Sequence, residues 1–428
     1  MHEARHLEGM AQPEAATEGS HKAGPRRFAL PLFAILLVSY AINAMDRQLF
    51  PLLASDVRRE YGFSLSTSGL LATVFTLGMA LAGLPTGYVL ARFTRKATIE
   101  IGIAIFSVGT ALTAAAHGFA DMLFYRTATG IGEAMQLTAL LAAVSGYFPR
   151  SRGAAAGTIN FTYGLGAIIG PFAAAMLLGA WKTWRAPMIV FGALGFVALV
   201  VISLAVRPWL TELTNGRGSR AVETGAFTLR NRNSVILTLM SLIGGMIIYG
   251  YLGMYPTYLR EHLAYSPGVA GRVLSAYGIG ALASIGGGWL GDRFSPRVVM
   301  SNTFLAAAVL GYLLFNGIPA IGAQATLSFA WGLVVSGILY VNLAGYHVKV
   351  VRSGLAGTAS GVFVTSLYGS AAISGYSIGW LANHSGWMMA GVIQISLLSA
   401  IGALLAIFLQ SDSTASSKEP PSNATFEK

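Results

Sequence analysis

Gly288-Trp-Leu-Gly-Asp292-Arg293-Phe294-Ser-Pro-Arg297 repeats the key positions of an earlier stretch, Gly87-Tyr-Val-Leu-Ala91-Arg92-Phe93-Thr-Arg95-Lys96. Glycine, arginine and phenylalanine recur at a constant offset of 201 residues. Each copy follows a long apolar run, and each of those runs is the second of six. A repeat at half the chain length implies a duplicated helical bundle, the usual parent of an alternating-access transporter.

The rest of the chain fits that reading. Its 428 residues are 54% hydrophobic and 11% charged, with a mean hydropathy of +0.62. A water-soluble fold carries roughly a quarter charged residues, so a large soluble core is excluded. Apolar runs at 28–55, 67–91, 98–117, 122–146, 154–179, 186–206, 234–259, 268–291, 298–318, 324–346, 354–382 and 388–409 are each long enough to cross about 30 Å of hydrocarbon. The fold class expected is an all-α membrane protein, with twelve transmembrane helices in two six-helix bundles. The bundles occupy 28–206 and 234–409, joined by a polar cytoplasmic linker at 207–233. Residues 1–27 and 410–428 are expected as disordered cytoplasmic tails. Residues 1–27 contain Glu3, Glu8, Glu14 and Glu18 and lack the basic-then-apolar order of a secretory signal.

The formal net charge of +11 sets topology rather than a nucleic-acid partner. With both termini cytoplasmic, twenty Lys and Arg fall on that side and six on the other, and Arg47 and Arg126 complete the 28. That asymmetry is what the positive-inside rule requires. The protein is thus expected to be a multi-pass protein of the cell membrane, of the bacterial inner-membrane type, and a monomer. Cysteine is absent, which excludes disulfides and thiolate chemistry. The seven histidines show no metal-ligand spacing, and no nucleophile–base pair or phosphate loop marks an enzyme. No cofactor is expected beyond protons as a coupling ion.

Charge inside the apolar runs carries the chemistry. Asp46 and Arg47 interrupt the first run, and Arg126 and Glu133 lie in the fourth. An ionised side chain at membrane depth costs a few kcal/mol, about 3 at a helix centre, and so marks an ion or substrate pathway. Arg126 and Glu133, seven apart, share a helix face about 10 Å apart along the axis, with Gly130 and Gly132 between them. Burial raises a carboxyl pKa and a nearby arginine lowers it, so a carboxylate that meets and leaves an arginine changes its proton affinity. Arg47 stays ionised and can grip a carboxylate with two parallel hydrogen bonds. The bland alternative is a pair of static salt bridges between the first and fourth helices.

The loop repeat resembles the conserved motif of the major facilitator superfamily, Gly-x-x-x-Asp-Arg-x-x-x-Arg/Lys, over a chain similar from about 28 to 409. That resemblance implies a cytoplasmic latch built from Gly87, Arg92, Gly288, Asp292 and Arg293. Ala91 stands where the family normally has Asp, which would weaken the first-half copy. The Asp46-Arg47 pair with Arg126-x6-Glu133 resembles the anion:cation symporter branch. It implies that Asp46 and Glu133 carry protons, that Arg47 binds the substrate carboxylate, and that Arg126 is the switchable partner of Glu133. The stretch Gly130 to Ala134 also resembles the Spinster branch of lysolipid and sphingolipid carriers. Gly164-x-Gly166-x3-Gly170-Pro171 partly resembles the motif of proton-coupled drug exporters, but Phe172-Ala173-Ala174 replaces the expected glycine pair, and close helix packing explains it.

Other polar residues in the runs are candidates to line a central cavity. These are Gln136, Asn160 and Tyr163 in the first half, with Tyr249, Tyr255, Tyr277, Asn342, Ser366 and Tyr368 in the second. For any one of them, a helix–helix hydrogen bond is the competing role. Together they suit a hydroxylated or aromatic acid. The reading that follows is proton-coupled symport of a small organic anion, a sugar acid or an aromatic or other carboxylate. A lysolipid carrier is the second reading, and a proton/drug antiporter the third. A receptor of transporter fold would need an output domain larger than the linker or tails.

Overall fold

Helix starts are fixed by short polar residues. The side chains of Ser64, Thr94, Ser266 and Ser295 each accept a hydrogen bond from the backbone N–H three residues on, satisfying a donor that the first helical turn leaves free. Pro267 and Pro296 follow two of these caps at the first helical position, where a missing N–H costs nothing. Asn231 caps the seventh helix in the same way.

The computed structural model describes residues 26–147, 152–212, 226, 228–352 and 355–410. Most of both expected tails, and much of the expected linker, lie outside the described residues. The first half comprises α1 (Arg26–Tyr61), α2 (Leu65–Thr73 and Phe75–Arg92), α3 (Arg95–Thr113), α4 (Phe119–Tyr147), α5 (Arg152–Trp181) and α6 (Arg185–Ala205). The second comprises α7 (Arg232–His262), α8 (Pro267–Arg293), α9 (Pro296–Asn316), α10 (Ile321–Lys349), α11 (356–385) and α12 (387–407). Ten described stretches are long and apolar enough to cross a membrane. One of them, Gly357–Ile407, holds both α11 and α12, separated at Gly386 with φ +80°. The 29-residue α4 has the length as well, which makes twelve crossings. An even number places residues 26 and 410 on one face, called here the terminal face.

The helices are not regular throughout, and the irregularities aim side chains. α2 breaks at Val74, where Thr73 donates to Gly69 O at 3.2 Å and to Ala372 O at 3.0 Å. Hydroxyls that bond back to the preceding turn bend helices. α10 widens to a π-helical stretch over Gly332–Tyr340, which shifts the face presented beyond it. α7 does the same over Tyr258–His262, just after Pro256.

The two halves meet tightly near the far face. Gly69 and Gly375 pack so closely that a Cβ on either would lie 2.0 Å from the other's carbonyl oxygen. Ser275 donates to Ile168 O at 2.7 Å, tying α8 to α5. At the terminal face the expected latch is local to each half. Asp292 pairs with Lys349 at the end of α10. Arg293 lies 5.7 Å from the Trp289 ring and Arg92 4.2 Å from the Tyr88 ring. Gly87 and Gly288 sit inside α2 and α8. Glu212, just after α6, accepts from the backbone N–H groups of Arg95 and Lys96, each at 3.0 Å, and so caps α3. Glu212→Ala should lower thermal stability by about 1 kcal/mol, the usual cost of a lost cap, read as a fall in the melting midpoint without loss of transport.

Candidate functional site

α1 and α4 run antiparallel, so residues that climb α1 meet residues that descend α4. Ser39 and Asn43 meet Gln136, through bonds of 3.0 Å and 2.8 Å. One turn on, Arg47 Nε lies 3.0 Å from Glu133 Oε2, and Arg126 Nη1 lies 3.8 Å from Asp46 Oδ2. All four charged side chains are at most 5% exposed. Thr110 of α3 donates to Asp46 Oδ1 at 2.9 Å. Arg126 is also sandwiched between the Phe50 and Phe75 rings, 5.0 and 5.3 Å from their centroids, where the ring faces stabilise its charge.

This pairing corrects the sequence expectation. Arg126 does not pair with Glu133 along α4; the axial gap is too long, and the consecutive residues Asp46 and Arg47 reach across and take one partner each. At Gly130 it is another helix that comes close to the backbone. A Cβ there would lie 1.7 Å from the Phe75 carbonyl oxygen. Arg47 differs from Arg126 in one respect that bears on function: it lines a cavity. Its Nη2 is buried and makes no hydrogen bond among the described residues.

That cavity, about 580 Å³, lies between the halves. Arg47, Asn160, Tyr163, Tyr277 and Tyr368 line it, as does Tyr249. Its deep wall is closed, with Tyr249, Tyr277 and Tyr368 at most 5% exposed. Toward the terminal face its lining reaches exposed Ser360 and Gly357. The cavity therefore opens to the side that carries the termini, opposite the tight seam.

Four candidates point elsewhere. Tyr255 lies six residues beyond Tyr249, about 240° around a helix, and its hydroxyl donates to Gln324 Oε1 at 2.6 Å inside an aromatic cluster. Asn342 donates to Gly287 O and Ile338 O, both at 2.9 Å, and joins α10 to α8. Ser366 donates to Val362 O at 2.7 Å, within its own helix. Gln136 is spent on Asn43 and Ser39 behind the cavity wall. Sequence reading missed Tyr40, Ser284, Ser336, Tyr340 and Ser360, all of which line it. The signal for one stripe was there: Ser360, Val364 and Tyr368 recur at helical spacing.

A second hollow of about 860 Å³ lies toward the far face, lined by Asp56, Arg58, Arg59, Lys182, Arg260 and Glu261. It is separate from the buried charge cluster. Most of its charges face each other: Arg58 Nη2 meets Glu261 Oε2 at 2.5 Å, and Arg260 pairs with Asp56. These pairs join α1 to α7 across the halves. Charge reversal of one partner, Arg58→Glu, should slow transport several-fold by placing like charges together. The double reversal with Glu261→Arg should restore the rate, as initial uptake in vesicles would report.

The chain belongs to the Major Facilitator Superfamily, whose family model matches residues 36–376; it is a multi-pass membrane transporter, not an enzyme. It is 25% identical to the cis,cis-muconate transport protein of Acinetobacter baylyi over 89% of this chain and 93% of that protein. It is 23% identical to the 4-hydroxybenzoate transporter of Pseudomonas putida, over 69% of this chain and 73% of that one. In fold it is similar to a bacterial homolog of the human lysosomal transporter Spinster, crystallised inward-facing and unoccupied. The TM-score is 0.71 at 18% identity, over 90% of this chain and 96% of that one.

Proposed function

We propose that this protein imports a small organic carboxylate together with protons, by alternating access of its two halves. One observation carries the reading: Arg47 stands between a buried carboxylate, Glu133, and a central cavity. An arriving carboxylate competes with Glu133 for the same guanidinium. Two arginines and two carboxylates balance in the empty site, so an added anion leaves an uncompensated buried charge. Protonation of Glu133 removes it and frees Arg47 for the substrate. Asp46, held by Arg126 and Thr110, is the second proton carrier, and Arg126 is its partner rather than that of Glu133. The muconate and hydroxybenzoate carriers among the relatives support an organic anion as substrate. The excess of Lys and Arg on the terminal face supports its being cytoplasmic; the membrane proposed is a bacterial inner membrane, and the working unit proposed is a monomer.

Purified protein in liposomes, with an inward proton gradient and a trapped pH dye, tests this. Aromatic acids, sugar acids and dicarboxylates are supplied outside. Proton influx should follow one acid class and vanish in Glu133→Gln. A lysolipid carrier is the second reading, favoured by the likeness in fold to the Spinster homolog. Silence with every acid, and flux with lysolipid, would replace the first reading by the second.

A further inference from the structure

The wall of the central cavity is a cage of tyrosines around one cation. Tyr40, Tyr163, Tyr249, Tyr277, Tyr340 and Tyr368 all line it, from α1, α5, α7, α8, α10 and α11. The rings already pack edge to face. Tyr249 and Tyr368 lie 5.8 Å apart at 62°, Tyr249 and Phe75 6.0 Å apart at 63°, and Tyr340 and Phe363 5.6 Å apart at 65°. Arg47 sits 5.9 Å from the Tyr163 ring centroid.

Two features of this wall select a ligand. First, Arg47 is the only charged residue among the described lining residues. A second carboxylate on the ligand would find no cation, and a buried unpaired charge costs several kcal/mol, of order 3 or more. Second, aromatic ring faces dominate the wall, and two of its six tyrosine hydroxyls are spent on each other. Tyr340 and Tyr368 share a hydrogen bond of 3.1 Å. Tyr163 also accepts from Gln48 at 3.5 Å. A sugar acid, hydroxylated along its whole length, would set several hydroxyls against these ring faces, each left unsatisfied there at about 1–3 kcal/mol. Ring faces and the side chains of Met79, Leu137 and Ile159 welcome a flat apolar body instead.

We infer that the substrate is an aryl monocarboxylate, its carboxylate on Arg47 and its ring among Tyr249, Tyr340 and Tyr368. The inference rests on the organic-anion reading above and narrows it. Tyr40 and Tyr249, whose hydroxyls make no hydrogen bond among the described residues, are left to meet a hydroxyl on the ring.

Binding to the purified protein, measured by thermal shift and by counterflow in liposomes, tests it without reference to protons. The probes are benzoate, a hydroxybenzoate, adipate and gluconate. The aryl acids should bind at least about tenfold more tightly than adipate or gluconate. Tyr249→Leu should weaken them about three- to tenfold, the worth of one aromatic contact, while Tyr249→Phe keeps benzoate binding and loses only the preference for a ring hydroxyl. Preference for gluconate or adipate overturns the aryl assignment and leaves the organic-anion reading standing. Binding of none of the four overturns both. Equal loss of every ligand in Tyr249→Leu, with normal folding, would make Tyr249 structural and overturn the cage.

Discussion

Arg47→Gln should abolish uptake, and pairing it with Glu133→Gln should restore stability without restoring transport. The single substitution removes the cation that the proposed substrate needs and leaves Glu133, which is fully buried, without its partner. Breaking one side of a buried pair costs about 3–5 kcal/mol, so the variant should melt earlier and its uptake should fall at least about a hundredfold. Neutralising Glu133 as well removes the orphaned charge, and the melting temperature should recover. Uptake should not, because no cation remains in the cavity. Glu133→Gln alone separates the two roles: Arg47 is permanently available, so anion binding should persist while uptake stops responding to the proton gradient. Melting curves and radiolabelled uptake read both quantities on the same preparations. If the neutral double variant transported normally, the pair would be a static brace between α1 and α4, and the site would have to be sought elsewhere.

The crossed pairing behind that experiment was only half legible in the sequence. Charged residues in apolar runs announce themselves by their cost, and all four of Asp46, Arg47, Arg126 and Glu133 come together. Which partner each takes depends on the register of two antiparallel helices, and a one-residue step turns a side chain by about 100°. The same rotation explains the lining. Tyr277 and Tyr368 line the cavity, whereas Ser366, two residues before Tyr368, turns about 200° away and bonds to its own helix. Tyr340 and Ser336 were hidden for another reason. They sit in the widened stretch Gly332–Tyr340, where the 3.6-residue period fails, and only the backbone shows which way they face. The helix ends were easier to read, because Ser, Thr, Asn and Pro at the caps act over three residues and need no tertiary partner. Ala91 led to the expectation of a weaker first-half latch. The cap that Glu212 gives to α3 next to that loop comes from more than a hundred residues on, which no local motif could show.

Gly375→Leu should trap the protein with its far face open. At the seam between α2 and α11, a Cβ at residue 375 would lie 2.0 Å from the Gly69 carbonyl oxygen and 2.9 Å from the Thr73 side chain. The nearer clash is with backbone, which no rotamer change relieves, so leucine and the closed seam are incompatible. A substitution that excludes one of two states drives the population to the other. A shift of only 1.4 kcal/mol already changes the ratio tenfold, and this clash exceeds that. The chain has no cysteine, so single cysteines can report the two faces. Ala72→Cys is fully buried beside the seam, and Ser360→Cys lies exposed at the cavity mouth. With Gly375→Leu added, maleimide labelling at position 72 should quicken by about tenfold or more and labelling at 360 should slow by a similar factor, with transport stopped. Gly179→Leu, where a Cβ meets nothing within 4 Å, should change neither rate. Unchanged labelling in a folded, transporting Gly375→Leu protein would show that this seam does not open during the cycle, and the rocking of halves about the central cavity would have to pivot elsewhere.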